Sequence, residues 1–155
     1  MSVGTAAPGV SYRFPRTMRL LRSADFGAVL GAKGQDVFRV RSRYFSATCL
    51  KQRSRAGLRY GVTVGKKFAH RATARVVVKR ALREVARKQA PYLIALLCET
   101  GVGLDVSLRL TSPVESFDSP YSGSHRAYRE CLRKDIEQLF SALVQKLEHQ
   151  SRAAQ

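Results

Sequence analysis

Residues 58–88, "LRYGVTVGKKFAHRATARVVVKRALREVARK", carry two periodicities end to end. As far as Val64 the side chains alternate, with Tyr60, Val62 and Val64 on one side and Gly61 and Thr63 on the other. Period two marks a strand with one apolar face. From Ala74 onward the period becomes helical. On a wheel of about 100° per residue, Ala74, Val77, Val78, Ala81, Leu82 and Val85 gather on one side. Arg75, Lys79, Arg80, Arg83 and Arg87 gather on the other, with Lys66, Lys67, His70 and Arg71 just upstream. The apolar side is expected to lie on the sheet, leaving the basic side outward. Val76 departs from this division, because it falls between Arg83 and Arg87 in the middle of the basic face.

The same patterns extend in both directions. Upstream, "DVFRVRSRYFSATCL" (residues 36–50) alternates Arg39, Arg41 and Arg43 with Phe38, Val40 and the following aromatics, which predicts two strands with one basic face. Downstream, "GLDVSLRLT" (residues 103–111) turns Leu104, Val106, Leu108 and Leu110 inward and Asp105, Ser107 and Arg109 outward. "RSADFGAVLGAKG" (residues 22–34) reads as a short helix, with Ser23 as N-cap, Phe26, Val29 and Leu30 at helical spacing, and Gly31 and Gly34 ending it. From about Ser124 to Glu148 a long amphipathic helix is expected, with Cys131, Ile136, Leu139, Phe140, Leu143 and Leu147 as its core stripe. The order predicts an α+β fold: a single-domain αβββαβα sandwich in which a four-stranded sheet has helices packed on one face and arginines on the open one. Residues 1–13, rich in Gly, Ala and Pro, read as a flexible lead-in, residues 14–148 as the domain and residues 149–155 as a tail.

Charge bounds the class of partner. The 155 residues hold 28 Lys and Arg against 11 Asp and Glu, a formal net charge of +17. Residues 31–95 contain 17 basic side chains and two acids, Asp36 and Glu84, for +15, whereas residues 96–155 contain seven and eight, for −1. A charge excess serving solubility alone has no reason to concentrate in this way. Between Arg71 and Lys88 Glu84 is the one acid, so like charges on the helix repel one another unless a polyanion screens them. The expected partner is therefore a phosphate backbone.

Other functions find little support in the sequence. Paired carboxylates, a Ser-His-Asp arrangement and a metal cluster are all lacking, so the chain does not have the parts for phosphodiester chemistry of its own. "GVTVGKK" (residues 61–67) superficially matches a phosphate loop, but has three residues between its glycines where four are needed, and Lys where Ser or Thr should follow. Cys49, Cys98 and Cys131 are odd in number and show no Cys-x-x-Cys spacing, which points to buried thiols in a reducing cytoplasm. His70, His125 and His149 have no Cys or Asp at ligand spacing. "MSVGTAAPGVSY" (residues 1–12) lacks the basic start and apolar core of a signal peptide, and no run reaches the ~18 apolar residues of a membrane span.

"YGVTVGKK" (residues 60–67) followed by "RATARVVVKRALREVAR" (residues 71–87) resembles the protein subunit of bacterial ribonuclease P. "FPRTMRLLRSADFGAVL" (residues 14–30), "RSRYFSATCL" (residues 41–50) and "GLDVSLRL" (residues 103–110) resemble the same family in the same order, so the likeness covers about residues 14–147. Its most specific part is the spacing of Lys66-Lys67, Arg71, Arg75, Lys79-Arg80 and Arg83-Glu84. The family's Arg-Asn-Arg triplet stands here as Arg75-Val76-Val77, so only its first Arg matches.

The resemblance implies a division of labour. An RNA subunit with bound magnesium cleaves precursor tRNA to release the 5′ leader, and the small basic protein assists without a cofactor or small-molecule substrate of its own. Lys66, Lys67, Arg71, Arg75, Lys79, Arg80, Arg83 and Arg87 would contact the catalytic RNA. The first helix and the open sheet face would form a cleft for the single-stranded leader. There Phe26 carries over as a stacking aromatic, two other aromatic positions fall on Leu30 and Thr48, and Arg41 and Arg43 would act electrostatically. The resemblance also implies a left-handed crossover between the parallel strands and a cytoplasmic location. The alternative is a general basic RNA-binding or ribosomal-type protein with no enzyme partner.

Overall fold

The computed structural model describes residue 19 and residues 23–53, 56–113 and 125–153. The lead-in expected over residues 1–13 lies outside them. Seven elements follow in the expected order: α1 (Ser23–Gly31), β1 (Val37–Arg41), β2 (Phe45–Gln52), β3 (Leu58–Thr63), α2 (Ala72–Thr100), β4 (Gly103–Leu110) and α3 (His125–Ala153). The strands form one mixed sheet in the order β1-β2-β4-β3. The β1/β2 and β2/β4 pairs are antiparallel, and β3/β4 is parallel with α2 as the crossover.

The alternating strands sort themselves by the pleat. Phe38, Val40, Phe45, Ala47, Cys49, Leu58, Tyr60, Leu104, Val106 and Leu108 are buried on one face, beneath the two long helices. Val78, Leu82, Val85, Ala86, Ala90, Leu93 and Leu97 of α2 close that core together with Leu132, Ile136, Leu139, Phe140, Leu143 and Leu147 of α3. Tyr60 meets Phe140 edge to face at 6.0 Å between ring centres, a favourable aromatic arrangement. Burial pushes the Tyr60 hydroxyl and the Cys49 thiol well above their ordinary pKa values. Of the other cysteines expected to be buried, Cys131 is half-buried and Cys98 is exposed.

Both long helices run further than the sequence pattern reached. The α2 helix continues through Pro91 to Thr100, because the apolar spacing of Ala90, Leu93 and Leu97 keeps its inner side on the core. It stops where Gly101 takes the left-handed conformation (φ 71°) and donates its N–H to the Leu97 carbonyl at 2.9 Å. The α3 helix extends to Ala153, so most of the segment read as a tail is helical.

Helices on one face describes α2 and α3. The short α1 packs instead against β2 and β4 from the polar side. Its Val29 is fully buried yet stands apart from the main core, and beneath it the polar-face neighbours Thr48 and Ser107 are buried as well. The strand pattern showed a polar face but could not show which part of it a helix would cover.

Two buried carboxylates lock the sheet. Asp105 on the polar face of β4 is 2% exposed and accepts Arg59 Nε and Nη2 at 2.9 and 2.7 Å and Gln52 Nε2 at 2.9 Å. Arg59 is its register neighbour on β3, so the pair staples the parallel strands. Asp135 of α3 accepts Ser42 Oγ at 2.7 Å and the Arg43 and Tyr44 N–H groups at 3.2 and 3.0 Å. It thereby ties the β1–β2 turn to the helix on the far face.

Candidate nucleic-acid interface

The outward side of α2 and the turn that leads into it form one basic surface. After β3, the Phe68 and Ala69 N–H groups donate to the Gly65 carbonyl at 3.2 and 3.1 Å, and Ala69 is fully buried. That anchor leaves Lys66, Lys67, His70 and Arg71 exposed. On the helix Arg80 and Arg83 are exposed, and Arg75, Lys79 and Arg87 are half-buried. Val76 stands among them with 51% of its surface exposed, as the wheel required. Glu84 interrupts the face and pairs with Lys88 at 3.6 Å, both about half exposed, so the pair adds little stability.

Arg75 does more than face outward. Its Nη1 donates to the Ala69 and His70 carbonyls at 2.9 and 2.8 Å. The guanidinium therefore clamps the basic turn back onto the first turn of the helix. Sequence periodicity could place Arg75 on the basic face but not foresee that its donors are used within the chain.

The second candidate surface is the polar side of the sheet. Phe26 is half-buried and Leu30 is 38% exposed, both on α1. Arg41 is exposed at the end of β1, whereas Arg43 lies in the following turn rather than on a strand. The Arg43 guanidinium sits 5.1 Å from the centre of the Tyr44 ring. Thr48 is 6% exposed, so it forms part of the floor and offers little surface to a ligand. One register row crosses all four strands as Arg41, Ser46, Arg109 and Thr63. Arg41 and Arg109 are both exposed, two strands apart, hence about 10 Å from one another. Arg109 belongs with the candidate residues although the sequence reading did not select it. Its outward position in "GLDVSLRL" was visible, but its alignment with Arg41 depends on strand pairing.

The described residues show no group of three or more His, Cys, Asp or Glu placed to hold a metal ion, and no helix among them is long and apolar enough to cross a membrane.

A model of the family Ribonuclease P matches residues 14–135. The chain belongs to that family. Two ribonuclease P protein components are similar over nearly their full lengths. The one from Ralstonia pickettii is 30% identical over 136 residues, 88% of this chain and 86% of that protein. The one from Azoarcus sp. is 32% identical over 141 residues, 91% of this chain and 98% of that protein. The structure of the Staphylococcus aureus RNase P protein shares the fold, with a TM-score of 0.55 and 17% identity over 81% of this chain and 94% of that one. Membership of the ribonuclease P family accounts for a basic α2 on an otherwise ordinary α+β core, and it disfavours a general RNA-binding protein with no enzyme partner.

Proposed function

We propose that this chain, a protein subunit of the ribonucleoprotein endoribonuclease ribonuclease P, grips the catalytic RNA with the outward face of α2 and its lead-in turn. The 5′ leader of precursor tRNA then lies across the polar side of the sheet. The observation that carries the reading is the basic surface from Lys66 to Arg87, interrupted by Glu84 alone and held outward by a helix whose other side is core. Each phosphate it neutralises releases condensed counterions, which gives affinity without sequence preference.

On the sheet, Arg41 and Arg109 would take successive parts of the leader backbone, with Phe26 as the aromatic platform for an unpaired base. Leu30 would contribute apolar contact where a stacking ring is absent, and Thr48 would lie beneath. Arg43 would act from the rim of the turn. Magnesium would be used through the RNA subunit, in the cytoplasm, with the protein supplying position and electrostatics rather than a reacting group.

The test is cleavage of precursor tRNA by ribonuclease P RNA at low magnesium, with and without the purified chain. Faster cleavage with the chain, and none by the chain alone, is the expected result. Equal rates with and without it would refute the assignment, and cutting by the protein alone would make it a nuclease in its own right.

A further inference from the structure

A groove of about 390 Å³ runs between α2 and the start of α3. Its floor is apolar, built from the half-buried Val77 and Ala81 and the buried Val85. Its walls are charged, and most of that charge is already matched. Lys88 pairs with Glu84 at 3.6 Å, and Arg133 reaches Glu130 at 3.6 Å and Glu137 at 3.8 Å. Arg80 on α2 and Arg129 on α3 are left, exposed and without an ion-pair partner among the described residues. The two guanidinium groups thus flank an apolar slot, with no unmatched acid in its lining to repel an anion.

Arg80 is also part of the basic surface, next to Lys79 and Arg83, so the groove opens directly off the proposed RNA footprint. We infer that this groove receives one unpaired nucleotide of the catalytic RNA, its base on the Val77–Ala81–Val85 floor and its phosphate between Arg80 and Arg129. The volume lies within the ~300–1,000 Å³ typical of ligand clefts. Arginine planes beside an apolar floor suit a splayed-out base, which stacks and hydrogen-bonds where a paired one cannot. The footprint therefore continues onto α3, a helix whose net charge gave no hint of RNA contact.

This inference rests on the RNA-binding reading of α2, and the experiment separates the two. Binding of ribonuclease P RNA is measured for Arg129→Ala, Ala81→Trp and Arg83→Ala, with dimethyl sulfate probing of unpaired bases in each complex. Arg129→Ala is expected to weaken binding roughly tenfold and to flatten its salt dependence by about one phosphate contact. Ala81→Trp, which fills the slot without changing charge, is expected to re-expose one or two bases protected in the wild-type complex. If Arg83→Ala weakens binding while Arg129→Ala binds within twofold of wild type and no base changes reactivity, the groove is not an RNA site but α2 is. Weaker binding by Arg129→Ala with unaltered base reactivity in both groove variants would make Arg129 a plain phosphate contact and overturn the nucleotide site. Undiminished binding by Arg83→Ala as well would overturn both readings.

Discussion

The two long helices make an informative pair. α2 and α3 are each 29 residues, pack against one another and cover the same sheet face with Leu-rich apolar stripes. Their outward sides differ. On α3 opposite charges sit one turn apart, so Arg133 finds Glu130 and Glu137 within the helix. On the first half of α2 one acid stands among a run of cations. A helix that answers its own charges needs nothing further from its surroundings, whereas one that does not is completed by an external polyanion. The difference makes α2 the main RNA surface, with Arg129 at the start of α3 as the contact the groove would add, although both helices do the same work in the core.

The shared role gives the largest expected effects. Leu82→Ala on α2 and Leu139→Ala on α3 remove fully buried side chains. Each should cost about 2–5 kcal/mol in denaturant unfolding. A loss confined to one helix would break the claim that their inner faces are equivalent. The outer faces should respond differently. Reversing charge with Arg80→Glu and Arg83→Glu together is expected to weaken binding of ribonuclease P RNA roughly 100-fold. Lys134→Glu, on the exposed side of α3, should change it about twofold or less. Comparable losses from the two helices would remove the contrast.

Smaller effects sharpen the account. Val76→Asn places a polar amide at the exposed centre of the α2 face. It should leave the melting temperature nearly unchanged and tighten RNA binding about two- to fivefold through one new hydrogen bond. Weaker binding by this variant would mean that the helix presents a different side to RNA. The smallest effect belongs to Asp36, whose carboxyl is held below its ordinary pKa chiefly by hydrogen bonds from Arg53. A lowered folded-state pKa means that the contribution is present above the usual value of 3.8 and lost as pH falls through the folded one. Because the pair is largely exposed to solvent, Asp36→Asn should destabilise the fold only slightly at pH 7, and the difference from wild type should disappear at acid pH, where the wild-type carboxyl is protonated as well.

How far the sequence could be read follows from what each feature depends on. Local periodicity was enough for the inward sides of β4 and α2, and it isolated Val76, because side-chain direction repeats within an element. It said nothing of partners. Arg59 and Asp105 meet because β3 and β4 pair in parallel, 46 positions apart in the chain. Asp135 caps a turn 92 positions away. The same limit hid the Arg75 clamp and the burial of Thr48, and it kept Arg109 and Arg129 out of the candidate set. Arg43 fell out of the strand pattern because β1 ends at Arg41 and Asp135 holds the next residues in a turn. Periodicity assigns a face, while pairing and packing decide who occupies it.

The central claim is that the outward side of α2 is an RNA surface working through phosphate charge. The most direct measurement is the affinity of the chain for ribonuclease P RNA as a function of salt, from low to physiological concentration. The account predicts a steep linear fall of log affinity with log salt, made shallower by the Arg80→Glu and Arg83→Glu pair. An affinity that hardly changed with salt, or a slope the pair left untouched, would contradict it.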